Sequence, residues 1–405
     1  MILSAAQRGE FRRGRLILLA AVMGLGCGIA GVPLYSFGFF IAPLMEHYSL
    51  GRTQVSGWAT VFTLGVLVAA SLVGPLTDRY GARHVTAASL CLLALAYALT
   101  AIAEGSLLVL YATALLVAVL GAGTLPVTFT KTLAGWFSHA RGLAFGLAMC
   151  GVLLGATISG YVVPRALERG GLFAGYLTLA LLALCALPVV WTLLRENARV
   201  INGPGASAVT GDLPRDVLGM PVFWLMGSAF FVFCAAATGI VIHLVPSLLE
   251  RGLQPAETSL YVAALSAGGI AGRLLAGWAI DRVFAPRLVF FVFLAAGVGC
   301  FVLAGAHPGW TLLAVVVIGF AVGAEVDLIA YLAAAYFGLR SYATIYGWLY
   351  ALFALGASVG PVSAAWIRES TGGYPMVFFL AGGLSVLAAA IFLMVGRHPY
   401  RYRPA

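Results

Sequence analysis

The chain has 405 residues, of which 62% are hydrophobic and 9% charged, with a formal net charge of +9. Its mean hydropathy of +1.02 is far above that of a soluble domain, so lipid is the solvent of this fold. A positive excess suits a nucleic-acid surface when it gathers in one patch, but here Lys and Arg alternate sides in step with the apolar segments.

Stretches of roughly 20 apolar residues, enough to cross a ~30 Å hydrocarbon core as helix, predict twelve spans. They fall near 15–44, 55–77, 85–103, 106–130, 142–164, 172–194, 219–249, 258–280, 288–306, 311–336, 344–366 and 375–396. Segment length and the lack of two-residue alternation exclude a barrel of strands. The basic start followed by an apolar run mimics a signal peptide, but the run is about 30 residues long and has no small-residue cleavage pattern. The six cysteines all lie within spans without metal-ligand spacing, and read as small buried apolar groups. No metal and no cofactor is expected.

Between the spans, placing the N-terminus inside assigns 17 of the 23 Lys and Arg residues to the cytoplasm and 5 to the opposite side, leaving Arg273 alone within a span. The positive-inside rule therefore puts both termini of a multi-pass cell-membrane protein in the cytoplasm. The longest polar interruption, "RENARVINGPGASAVTGDLPRD" (195–216), follows the sixth span and reads as a linker between two bundles, 1–194 and 217–405. The halves echo one another. "GPLTDR" (74–79) and "GWAIDR" (277–282) share Gly, three residues, then Asp-Arg, at an offset of 203 residues. "WFSHARGLAFG" (136–146) and "YFGLRSYATIYG" (336–347) repeat an aromatic-Phe, Arg, Gly pattern at a similar offset. The predicted fold class is an all-α integral membrane protein, two six-helix bundles around a central site.

The stretch "GPLTDRYGAR" (74–83), after the second span, closely resembles the signature loop of the major facilitator superfamily. That resemblance implies a gate in which the Asp and the basic residues pair across the two halves. Asp78, Arg79 and Arg83, with Asp281 and Arg282 from the second half, are then the gating candidates; solvated loop charges are the bland alternative. Within the superfamily, "YSFGFFIAPL" (35–44), "KTLAGWFSHARGLAFG" (131–146), "IHLVPSLLERG" (242–252) and "GAEVDLIAYLAAAYFGLR" (323–340) resemble the monocarboxylate porters and the related oxalate and formate exchangers. The resemblance implies secondary active transport of a small monocarboxylate by alternating access, with an arginine of the eighth span binding the carboxylate. There are departures: Leu34 stands where many animal members carry Lys, Gly269 where they carry Asp, and "YGWLYALFALGASVG" (346–360) lacks the lysine of oxalate exchangers. A lone membrane cation favours one substrate carboxylate over two.

Charge inside a membrane costs roughly 2.5–3.5 kcal/mol per residue on insertion scales, so each instance needs a reason. The spans hold Arg273, Glu325 and Asp327. Arg273 lies ~12 Å from the cytoplasmic end of its helix at 1.5 Å per residue, and Asp327 at comparable depth. Ser266, Gly269 and Gly277 share the face of Arg273 and suggest space around the guanidinium, whose planar fork suits a carboxylate. Glu325 and Asp327 are about 200° apart around the helix. Asp327 shares a small or polar stripe with Gly323, Ala324 and Tyr331 and is expected to face the cavity; Glu325 is expected to pack, protonated.

One arginine cannot neutralise two carboxylates. The expected cycle has Asp327 paired with Arg273 in the empty carrier, then displaced by substrate and protonated, so that a proton accompanies the cargo. His243 is either a second proton site or a satisfied helix-end residue beside Pro246, and Tyr331 and Tyr350 are either hydroxyl donors to substrate or core tyrosines. The expected partners are a small carboxylate, a proton and the bilayer, for a monomer that binds no nucleic acid. Carboxylate exchange of the oxalate/formate type and efflux of a drug or metabolite are the alternatives within transport. A membrane enzyme is disfavoured because no GxSxG, HExxH, phosphate-cradling loop or Cys/His cluster occurs, and a sensor because the tails are short.

Overall fold

A computed structural model of the chain describes residues 3–103, 106–197, 211–305 and 308–396. Residues 198–210 of the expected linker, and Arg199, Arg397, Arg401 and Arg403 of the topology argument, lie outside the described residues. Among the described residues, nine helices are long and apolar enough to cross a membrane. Most match the predicted spans one for one. They are α3 (Arg52–Tyr80), α4 (Ala82–Ala101), α9 (Pro221–Glu250), α10 (Pro255–Ile280), α11 (Ala285–Ala304), α12 (Pro308–Phe337), α13 (Tyr342–Thr371) and α14 (Pro375–Leu393). A short α8 (Pro214–Leu218) precedes the second bundle, and just before it Asp212 N–H donates to the Phe337 carbonyl at 3.0 Å.

Two predicted spans are broken. The first divides into α1 (Ala5–Cys27) and α2 (Pro33–Tyr48), and the fourth into α5 (Leu107–Leu120), a 3-10 turn (Ala122–Thr124) and α6 (Pro126–Trp136). Each break ends in a proline that opens the next helix, where its missing N–H costs nothing and its ring cannot clash with a preceding turn. Free backbone groups in lipid must find partners, and the second break supplies one for the first: Ile29 N–H donates to Thr124 Oγ1 at 3.0 Å. The fourth span is also tied to the third, with Gly123 N–H donating to Ser89 Oγ and Thr86 Oγ1 donating to the Gly123 carbonyl, both at 3.0 Å.

Spans five and six run together as α7 (Arg141–Leu193), turned at Gly170 and at Gly171, whose φ of 61° and ψ of −156° only glycine adopts freely.

Within the first bundle α1 and α4 pack on α7; within the second, α10 packs on α12, α9 on α13 and α11 on α14. Backbones approach closely through glycines, as at membrane helix contacts generally: Gly155 of α7 against Gly26 of α1, and Gly272 of α10 against Phe320 of α12. The halves meet along two seams, α3 with α13 and α7 with α10.

Candidate functional site

Both seams close at the end of the bundle that carries the basic loops. On one, Gly74 of α3 lies against the Ala343 carbonyl of α13; on the other, Gly142 and Gly146 of α7 lie against the carbonyls of Gly277 and Arg273. Following the same faces by helical phase toward the other end, contact is lost. Gly160 of α7 has open space in front of it, and Thr157, Ser266 and Ile270 are exposed. Along the α7–α10 seam the halves are therefore shut at the basic end and parted at the other.

Two aspartates build the closed end. Asp78, in the last turn of α3, accepts from the Ala343 and Thr344 N–H groups at 3.3 and 2.8 Å and from Thr344 Oγ1 at 2.6 Å. Asp281, directly after α10, accepts from the Gly142 and Leu143 N–H groups at 2.8 and 3.2 Å. Neither α13 nor α7 has a side-chain cap of its own, so each takes an acid from the opposite half, which satisfies orphan donors and opposes the helix dipole. Lys131 pairs with Asp78 at 3.2 Å. Burial pushes the Asp281 carboxyl up to about 7, against the opposing pull of the two N–H groups, Arg141 and Arg282.

The basic gating candidates are placed differently from what the resemblance implies. Arg282 does cross the seam, donating to Gln7 Oε1 at 3.1 Å. Arg79 lies over the ring of Tyr80 and Arg83 over that of Trp191, both within their own half. Sequence reasoning missed the strut beside them. Glu10 of α1 accepts from the N–H groups of Ser138, His139 and Ala140, so the turn before α7 is held by acids from two directions.

Where the closed seam ends, the membrane charges gather. Arg273 is half-buried, while Glu325 and Asp327 are only 4% and 3% exposed. Asp327 points toward α7, with Oδ2 3.6 Å from where a Cβ on Gly146 would stand. Glu325 turns toward α9 and α13, within electrostatic reach of Cys234 and Tyr350. The Arg273 charge acts on both acids. Yet Arg273 Nη1, Glu325 Oε2 and both Asp327 oxygens are buried without a hydrogen-bond partner, so the expected Asp327–Arg273 pair is not made in this conformation.

The face expected to leave room around Arg273 is instead a packing surface in part. Gly277 is filled by the Gly142 backbone, and Gly269 receives Gly323 of α12. Small residues there allow close approach of helices.

Of the remaining candidates, Tyr350 and Tyr331 are half-buried, and Tyr350 is within electrostatic reach of Arg273 and Glu325. His243 stands apart, with Nε2 3.1 Å from the Pro361 carbonyl and Nδ1 3.2 Å from the Tyr374 hydroxyl. That places it toward the ends of α9, α13 and α14 away from the basic loops. Two residues at the centre were not singled out from the sequence. Tyr346 is fully buried, lies within electrostatic reach of Arg273 and Asp327, and has a hydroxyl without a partner. Its signal was present as Tyr342, Tyr346 and Tyr350 at four-residue steps. Cys150 of α7 is half-buried in reach of the same two charges. Among the described residues no group of three or more His, Cys, Asp or Glu side chains converges in a way that could hold a metal ion.

Comparisons with known proteins agree with this architecture. The chain matches the family model described as Major Facilitator Superfamily over residues 16–361 and 250–405. It is 28% identical over 393 residues to monocarboxylate transporter 11 of Homo sapiens, covering 93% of this chain and 81% of that protein. The 3-(3-hydroxy-phenyl)propionate transporter of Escherichia coli (strain K12) is 26% identical over 395 residues, 95% of each chain. In fold, the chain is similar to the E. coli fucose:proton symporter FucP, with a TM-score of 0.72 at 14% identity over 96% of this chain and 99% of that one. Broken spans, paired seams and a match along almost the whole length lead to one conclusion: the chain belongs to the major facilitator superfamily of membrane transporters.

Proposed function

We propose that this transporter carries a small monocarboxylate together with a proton by alternating access, acting as a monomer with both termini in the cytoplasm. The observation that carries the reading is the meeting of Arg273, Asp327 and Glu325 where the closed seam opens, with buried polar atoms on all three still unpartnered. Buried polar groups in lipid are held for a ligand or for each other, and a guanidinium that cannot lose its proton is suited to a carboxylate. Relatives named for monocarboxylates and for 3-(3-hydroxy-phenyl)propionate support that cargo class.

In this reading Arg273 holds the carboxylate, and Tyr350 and Tyr331 line the substrate beside it. Asp327, denied the guanidinium, takes the proton, and the neutral set crosses. Glu325 stays protonated, and His243 lies too far outward for either role. The halves, 1–194 and 217–405 joined by 195–216, rock about the site. The basic end is cytoplasmic, so the conformation described is outward-facing, with Asp78, Asp281 and Arg282 holding the inner gate and Arg79 and Arg83 flanking it.

The test is uptake of labelled carboxylate by purified carrier in liposomes. An inward proton gradient is expected to raise both rate and final level, and Arg273→Ala to lower uptake on the order of a hundredfold, as when one partner of a buried charged pair is removed. Equal rate and level with and without the gradient would sink proton coupling; undiminished carboxylate uptake by Arg273→Ala would sink the anchor.

A further inference from the structure

The face of α13 that meets the charged centre is a ladder of rings. Tyr342, Tyr346, Tyr350 and Phe353 follow one another with centroid separations of 5.7, 6.0 and 5.3 Å. The ladder is graded: Tyr342 and Tyr346 are fully buried toward the closed end, whereas Tyr350 and Phe353 are half-buried toward the opening. Its second rung presents the buried, unpartnered Tyr346 hydroxyl within electrostatic reach of Arg273 and Asp327. Its third rung, Tyr350, is within electrostatic reach of Glu325 and Arg273 in its own half and of Tyr35. Tyr35 belongs to α2 in the opposite half and is 52% exposed.

From these placements we infer that the cargo is an aryl-bearing monocarboxylate: its carboxylate lies between Arg273 and the Tyr346 hydroxyl, and its ring between Tyr350 and Phe353 on one half and Tyr35 on the other. The inference rests on the carboxylate reading above and adds the chemistry of the tail. Two physical points support it. A buried hydroxyl without a partner is costly, and a carboxylate already held by a guanidinium is the acceptor that would relieve it. Aromatic walls reward a ring beyond the apolar area it buries, because offset and edge-to-face contacts use the ring quadrupole, which a saturated tail of the same size lacks. The two walls come from opposite halves. A ring held between them draws α2 toward α13, so that binding of the tail favours closure of the parted end.

The experiment is counterflow by the full-length carrier in liposomes, comparing 3-phenylpropionate with 3-cyclohexylpropionate, and with butyrate and 3-phenylpropylamine. The expected result is that phenylpropionate is preferred over its saturated counterpart by about tenfold in kcat/KM, the worth of one or two good ring contacts. Tyr350→Leu should bring that ratio near one, while Tyr350→Phe retains it. Tyr346→Phe should raise KM for both acids and leave the ratio alone. Equal handling of the phenyl and cyclohexyl acids overturns the ring inference while leaving carboxylate transport intact, and so does carriage of butyrate with exclusion of both larger acids. Transport of the amine and of none of the acids overturns the carboxylate reading and this inference together. Should Tyr350→Leu fail to fold, the wild-type ratio decides by itself.

Discussion

Asp281 accepts the Gly142 N–H at 2.8 Å, so an acid at the end of a helix in one half closes the first turn of a helix in the other. Burial raises that acid to about 7 in the closed gate, with Arg141 and Arg282 as the opposing charges around it. Once the gate parts and water reaches it, the group returns toward the ordinary range of an aspartate, near 3.9. The closed form therefore binds the proton more tightly. Its advantage is fully present below the ordinary value and is lost as pH rises through about 7. Spin labels placed across the α7–α10 seam should report a closed population that falls between about pH 4 and about pH 7, a window set by these two values. In Asp281→Asn the population should no longer follow pH. A wild-type population that is flat over that window would remove Asp281 as its sensor.

The glycines of the same seam make a second, steric prediction. A Cβ on Gly146 would collide with the Arg273 carbonyl, which is backbone and cannot swing aside, whereas a Cβ on Gly160 of the same helix meets nothing within 4 Å. Gly146→Ala should shift the population away from the closed gate, and Gly160→Ala should leave that gate shut. The same label pair reads both. Indistinguishable distance distributions for the two variants would mean that the seam does not depend on backbone contact.

How the sequence displays these features depends on the physics behind each. Spans α3, α9 and α12 are legible because twenty apolar residues in lipid have few alternatives to helix. The breaks at 28–32 and 121–125 escape a count of apolar residues because mean apolarity does not register Gly and Pro, although "GIAGVP" and "GAGTLP" carry both. Their stability depends on each other, through Ile29 and Thr124, and that pairing is tertiary. The charged centre is legible for an energetic reason: Arg273, Glu325 and Asp327 stand out against an apolar background, and helical phase separates the two acids toward α7 and toward α9 and α13. What phase cannot supply is the neighbour. Gly269 and Gly277 read as space and proved to be contact, and the lone hydroxyl of Tyr346 follows from what fails to surround it.

Cys150 offers a direct view of the opening. It is half-buried, bonds the Gly146 carbonyl through Sγ at 3.3 Å, and lies in reach of Arg273 and Asp327, whereas Cys234 on the other side of the acids is fully buried. A small charged thiol reagent applied from outside should modify Cys150 and spare Cys234, and saturating substrate should slow the modification. Mass spectrometry of the labelled peptides distinguishes the two. Modification of Cys150 from the cytoplasmic side alone would invert the orientation proposed for this conformation.

The division of labour between the two acids can be decided by removing each charge without changing shape. Asp327 faces the opposite half at Gly146, so its surroundings change whenever the seam opens; Glu325 faces α9 and α13 of its own bundle, and its surroundings move with it. A group that must exchange a proton with alternating sides has to sit where the surroundings alternate. Asp327→Asn is therefore expected to retain substrate counterflow, which needs no net proton movement, and to lose accumulation driven by a proton gradient. Glu325→Gln should retain both, because in the proposed cycle the amide replaces a carboxyl that keeps its proton throughout. Counterflow and gradient-driven uptake measured on the same liposomes separate the steps. If Glu325→Gln loses accumulation while Asp327→Asn keeps it, the proton travels on the acid that stays within its own bundle, and the exchange between Arg273 and Asp327 is not the coupling step.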